Sequence, residues 1–183
     1  MIKKITTPLT KDKVKSLIAG DIVYISGTIY TARDVAHQRL LKSIEKGEKL
    51  PFNIKDSIIY YVGPAPAKPD DVIGSAGPTT SYRMDNLTLP LLKLGLKGMV
   101  GKGDRSLNVL EGIKRYECVY FAAVGGAGAL IANSIKESEI IAYEDLGAEA
   151  IRKLKVENFP VTVVIDSKGN NLYTIERKKY ERK

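Results

Sequence analysis

The stretch TARDVAHQRL, residues 31–40, places an arginine, an aspartate and the single histidine of the chain close together. Arg33 and His37 stand four residues apart, so on a helix they share a face. A helix starting here offers free backbone N–H groups in its first turn, where Arg33 and Asp34 fall, and such groups bind anions. Arg33 adds a planar fork that grips a carboxylate through two parallel hydrogen bonds. The chemistry on offer is capture of a small anion. The same residues also fit an exposed helix start in which Arg33 and Asp34 satisfy each other. His37 fits a helix face or a hydrogen bond to a ligand or neighbouring group.

A second constellation, SAGPTTSYRMD, follows a flexible Gly-Pro bend with Thr79, Thr80 and Arg83. A threonine capping a helix there brings a hydroxyl, free N–H groups and a guanidinium to one spot, which suits a second carboxylate. An ordinary N-cap beside a surface arginine has the same sequence. The third, GMVGKGDR, flanks Lys102 with Gly101 and Gly103 after a short apolar run. Ligands in open α/β sheets sit beyond the C-terminal ends of strands, and glycines let backbone approach them. A tight turn with a solvated lysine is the alternative. The spacing is not that of a P-loop, and the glycines of AAVGGAGALIANSI do not follow the dinucleotide pattern. Close helix–sheet packing or a tight anion turn accounts better for Gly125, Gly126 and Gly128. Tyr143, Glu144 and Asp145 read as a polar strand end that could touch a site or a partner.

One cysteine, Cys118, and one histidine exclude an intrachain disulfide, an iron–sulfur cluster held by this chain alone, and a zinc site built from those two. Cys118 lies in an apolar run and reads as a buried, inert thiol. The net charge of +8 fits nucleic acid or an anionic small substrate. Part of that excess is the terminal run ERKKYERK, which reads as a solvated tail. The absence of a long apolar run and of a signal-like start points to a cytoplasmic protein outside the membrane.

The elements that must position these residues alternate. A short helix is expected over 11–19, capped by Thr10 and ended by Gly20. A strand over 22–26 breaks at Gly27, and a helix over 31–46 turns Ala36, Leu40, Leu41 and Ile44 inward. A β-rich run over 57–62 leads to a proline loop and a bend at 74–78. A helix begins near Thr79, kinked or broken by Pro90. A strand over 98–101, a helix over 107–116 and a buried strand over 118–124 follow. A turn at Gly125 and Gly126 enters a helix over 127–135. A strand over 140–143, a helix over 147–156 with Ile151 and Leu154 inward, and a hairpin turning at 167–170 complete the chain. This order predicts an α/β fold, a central sheet covered by helices.

Together, TARDVAHQRL, GPTTSYRMD, GKGDR, VGGAGAL and YEDLGAEAIRKLKVENFPVTVVIDSKGNN resemble the β subunit of class I fumarate hydratase. That family also holds the β subunit of L-tartrate dehydratase and the C-terminal domain of single-chain class I enzymes. The resemblance covers about residues 20–173. It implies a swivelling β/β/α domain over 20–175, between an N-terminal segment, 1–19, and a basic tail, 176–183. It further implies a hetero-oligomer with an α subunit that carries a [4Fe-4S] cluster. The activity would be hydration of fumarate to (S)-malate, a step of the tricarboxylic acid cycle, with this chain inactive alone. Arg33, Thr79, Arg83 and Lys102 match substrate-binding or catalytic positions of the family. Thr79 and Arg83 take the catalytic part, and Thr80, His37 and Asp34 stand in the same motifs. No metal ligand is expected on this chain. Other readings are an L-tartrate dehydratase β subunit, a subunit that only caps the cluster, a non-catalytic anion- or RNA-binding module, and a homodimer when the chain is alone.

Overall fold

Five parallel strands follow one another across the sheet: β1 (Ile2–Thr6), β2 (Ile22–Thr31), β3 (Ile58–Tyr60), β4 (Gly98–Gly101) and β5 (Val119–Ala122). The computed structural model describes residues 1–123 and 127–180, with side chains to residue 177. Strand β6 (Ile135–Ala142) then leads to the fifteen-residue β7 (Ile151–Ile165). Strand β7 runs antiparallel to β5, β6 and β2. By reaching both β5 and β2 it closes β2, β3, β4, β5 and β7 into a barrel-like ring, with β1 and β6 alongside.

The side-chain alternation of strands divides the core in two. Ile58 and Tyr60 join Val23, Ile25, Ile29, Val100, Phe121, Phe159 and Val163 in one buried cluster, the interior of the closed sheet. Ile59, Tyr61, Met99, Tyr120 and Val164 face the other way. There they meet α2 (Asp34–Glu45), α3 (Asp85–Lys93) and α4 (Leu107–Tyr116), through Ala36 and Leu40, Leu91 and Leu92, and Val109 and Ile113. Helices α2, α3 and α4 thus cover the outer face. Val14 of α1 (Lys11–Lys15) and Ile131 of α5 (Gly128–Asn133) pack with the interior cluster. The first nineteen residues supply β1 and α1.

Several elements differ from the sequence expectation. Strand β2 does not stop at Gly27. It passes through with φ +116° and a register shift against β7, and a side chain there would collide with the Thr7 hydroxyl. The expected helix over 147–156 is instead a 3-10 turn, Glu144–Glu149, followed by β7. Ile151 and Leu154 are both buried, but in opposite clusters, as a spacing of three demands in a strand. The expected C-terminal hairpin is reduced to one bridge, Ile165 with Asn171, before α6 (Leu172–Tyr180). Helix α1 is shorter than expected, without a side-chain cap from Thr10. The turn at Gly125 and Gly126 lies outside the described residues.

Candidate active site

The C-terminal ends of β2, β3 and β4 bring the three constellations together. Beyond Thr31 the chain runs extended through Arg33, and α2 begins at Asp34. Beyond Tyr60, the Tyr61 carbonyl accepts the Thr79 N–H at 2.7 Å. Beyond Gly101, the backbone of Lys102 pairs with the same returning segment. Its N–H donates to the Thr79 carbonyl at 3.3 Å, and its carbonyl accepts the Ser81 N–H at 2.9 Å. Thr80 and Lys102 are therefore bridge partners, an extra rung parallel to the end of β4. Thr80 stands at the N-cap of the 3-10 turn Ser81–Met84 but makes no side-chain cap bond. That turn presents Arg83.

Arg83 Nε donates to Asp34 Oδ1 at 3.0 Å, and Asp34 Oδ2 lies 3.8 Å from Arg33 Nε. Asp34 thus stands between the two arginines. Arg33 also reaches Glu149 at 3.4 Å, whose other oxygen accepts the Val35 N–H at 3.2 Å. Gly63 makes room for this fork: a β-carbon there would sit 2.5 Å from Arg33 Nη1. Arg33, Arg83 and Lys102 set three cations against the two carboxylates of Asp34 and Glu149. Lys102 and Arg83 are exposed, and Arg33, Asp34, Thr79 and Thr80 are half-buried. The result is an open cationic face fit for an anion. A cleft of about 540 Å³ lies elsewhere, between the proline loop and α5, and none of these residues lines it.

His37 is wholly buried beneath this face. Its Nδ1 lies 2.8 Å from the Arg33 carbonyl, which can only accept, so the proton is on Nδ1 and Nε2 is a bare acceptor. The ring meets Tyr61 edge-on, with centroids 5.4 Å apart. Burial, seconded by the charge of Arg105, lowers its pKa to about 4 against the smaller opposing pull of the Arg33 carbonyl and Asp34. His37 is therefore neutral at pH 7. Four buried polar atoms without a hydrogen-bond partner gather here: Arg33 Nε, Asp34 Oδ2, His37 Nε2 and Tyr61 Oη.

A sequence profile described as Fumarase C-terminus matches residues 2–176. The chain belongs to that family. It is 44% identical to the "Putative L(+)-tartrate dehydratase subunit beta" of Methanocaldococcus jannaschii, over 95% of this chain and 93% of the relative. It is 33% identical to the L(+)-tartrate dehydratase subunit beta of Escherichia coli K12, over 97% and 90%. It is 42% identical to the aerobic class I fumarate hydratase of Salmonella typhimurium, over 81% of this chain but 26% of that protein. The chain thus spans nearly all of the separate β subunits and about a quarter of the single-chain enzyme.

The sequence of this fumarase C-terminal domain holds one cysteine, Cys118. Among the described residues no three His, Cys, Asp or Glu side chains gather to hold a metal ion. Cys118 is buried against the Leu96 carbonyl at 3.0 Å, and burial pushes its thiol up to about 12. Sequence reasoning missed Glu149, which falls in the expected helix over 147–156, and in the polar strand end Tyr143 to Asp145 it is Asp145 that forks with Arg39. It also missed Arg105, Asp85 and Tyr120 beneath the turns. The signal for Arg105 was available, because it closes the GKGDR motif.

Proposed function

We propose that this chain is the β subunit of an iron–sulfur hydro-lyase that interconverts fumarate and (S)-malate, a swivelling domain working with a cluster-bearing α subunit. The observation that carries the reading is the linkage of Arg33, Arg83, Thr79 and Lys102 at the ends of β2 and β4, with Asp34 between the arginines. Family membership and the near-complete overlap with separate β subunits support it. A single cysteine is too few to hold a cluster, so in this proposal the [4Fe-4S] group sits on the partner.

On this reading Arg33 and Arg83 each take a substrate carboxylate, with Asp34 and Glu149 aiming the two forks. Removal of the proton beside a carboxylate builds negative charge on that carboxylate. Fixed cations placed there beforehand stabilise the charge as it develops. Lys102 adds a point charge from the β4 end. Thr79 would relay the proton, but a free threonine hydroxyl is a poor base and needs an activating group. That group would come from the α subunit. His37 is neutral and acts through the Arg33 carbonyl rather than as an acid.

A second reading, L-tartrate as substrate, has support in the names of the two β subunits that this chain matches almost end to end. The same clamp would hold tartrate, with its second hydroxyl read elsewhere in the pocket.

The test is anaerobic purification of the chain alone and co-expressed with the candidate α subunit from the same source. Iron content and loss of fumarate, malate and tartrate are then assayed. Activity confined to the complex supports the reading, and the substrate ratio chooses between the two acids. A chain that neither binds an α subunit nor adds to its activity overturns it. Tight, salt-sensitive RNA retention on a filter would then favour the binding-module alternative.

A further inference from the structure

We propose that Arg105, with Asp85 and Tyr120, is a positioning clasp that fixes the Thr79-to-Arg83 turn against the Lys102 turn. The inference rests on the function proposed above and adds residues beneath the substrate face.

Arg105 is buried, and its guanidinium has a partner on each nitrogen. Nε donates to Asp85 Oδ1 at 2.6 Å, Nη2 to Thr88 Oγ1 at 3.0 Å, and Nη1 points at Met99 Sδ at 3.5 Å. The second Asp85 oxygen accepts the Ser106 N–H at 2.6 Å. Asp85 opens α3 two residues after Arg83, and Arg105 stands three after Lys102. The ion pair therefore ties the roots of both turns together across twenty residues of sequence. The guanidinium lies over the Tyr61 and Tyr120 rings, 5.4 and 5.1 Å from their centroids.

Tyr120 makes the matching tie above. Its hydroxyl donates to the Gly103 carbonyl at 2.8 Å and shares a second hydrogen bond with the Ser81 hydroxyl at 2.9 Å. Ser81 and Gly103 each adjoin a proposed substrate residue, Thr80 and Lys102. The two turns otherwise meet through the main-chain rung at Thr80 and Lys102, one of whose bonds is long at 3.3 Å. A buried ion pair is not needed for stability, since apolar pairs of similar volume replace such pairs well. Here it joins two turns whose cations must meet one substrate. A misplacement of about 1 Å can cost about 100-fold in rate.

The test uses the co-expressed complex carrying Arg105→Met with Asp85→Leu, and separately Tyr120→Phe. Readouts are amide exchange at Ser81 and Lys102, subunit assembly, the denaturation midpoint, and kcat against KM. The expected result for the double variant is an assembled complex with a midpoint near wild type. Exchange at those two amides should rise at least about tenfold, and kcat should fall about 100-fold with a smaller change in KM. Tyr120→Phe should shift both in the same direction, by less. Unchanged exchange and kcat in either folded variant overturn the clasp. If the double variant does not fold, Tyr120→Phe decides alone. If the wild-type complex turns over none of the three acids, the functional reading fails. The clasp then stands or falls on amide exchange in the two variants.

Discussion

Asp34 accepts a hydrogen bond from Arg83 at 3.0 Å, joining the first turn of α2 to the 3-10 turn 49 residues further along. Arg83 is about half exposed, so the pair adds little stability, on the order of 1 kcal/mol or less. Its weight is in orientation. Asp34→Asn should leave the denaturation midpoint nearly unchanged and raise the KM for the dicarboxylate about tenfold in the assembled enzyme. Arg83→Ala should abolish turnover while sparing assembly. Arg83→Lys should rescue it poorly, because a point charge does not reproduce the fork. Near-normal turnover in Arg83→Ala would remove Arg83 from the clamp.

Glu149 holds Arg33 from the opposite side and also accepts the Val35 N–H at the start of α2. Its carboxylate sits where an anion is welcome on two counts, the guanidinium and the helix N-terminus. Glu149→Gln keeps the acceptor and loses the charge. The expected outcome is a folded subunit with dicarboxylate affinity changed at least severalfold, read by Michaelis kinetics, while Asp145→Asn changes neither affinity nor turnover. Equal kinetics for the two variants would separate Glu149 from the site.

The elements bearing the site were largely legible in the sequence. Strand β4 and helix α4 fall on the expected residues because glycines and charged turns bound them sharply. The motif residues Arg33, Thr79, Arg83 and Lys102 could be picked out because their turns carry Gly, Pro and Thr signals. What supports them could not. Ile151 and Leu154 fit a helix period as well as a strand period, and only pairing of β7 with three other strands decides between them. That misreading hid the loop that delivers Glu149. Arg105 closes the GKGDR motif, but nothing local marks it and Asp85 as partners in a buried pair, because both are charged residues in charged surroundings.

Gly101 admits a third prediction, since it ends β4 directly under Ser81. A β-carbon there would stand 1.9 Å from Ser81 Oγ and 3.1 Å from Tyr61 Cδ2. Ser81 is itself buried and bonded to Tyr120, so it has little room to give. Gly101→Ala should destabilise the chain by about 1–3 kcal/mol, the usual cost of overpacking, measured by denaturant unfolding. Adding Ser81→Ala should recover part of that loss, because the nearest clashing atom is gone. Full stability in the single variant would contradict the packing at the end of β4.

Two buried groups divide the acid response of the fold. His37 has its pKa lowered to about 4 by burial, against an unfolded value of about 6.5. Between those values the unfolded chain binds the extra proton, so stability is fully present above pH 6.5 and drains away as pH falls towards 4. The linked loss is on the order of 3 kcal/mol. For Asp21, burial raises the pKa, but Lys3 at 2.7 Å, the Ile18 N–H and the N-terminal ammonium outweigh it and hold the carboxyl at about 2. That group stabilises the fold above its unfolded value of about 3.9, and its share is lost as pH falls from there to about 2. Denaturation midpoints against pH should therefore decline in two stages. His37→Asn, which keeps a donor near the Nδ1 position, should flatten the stage between pH 6.5 and 4 and leave the lower one. Asp21→Asn should do the reverse. A single slope unaffected by His37→Asn would mean that the imidazole is not buried beneath Arg33.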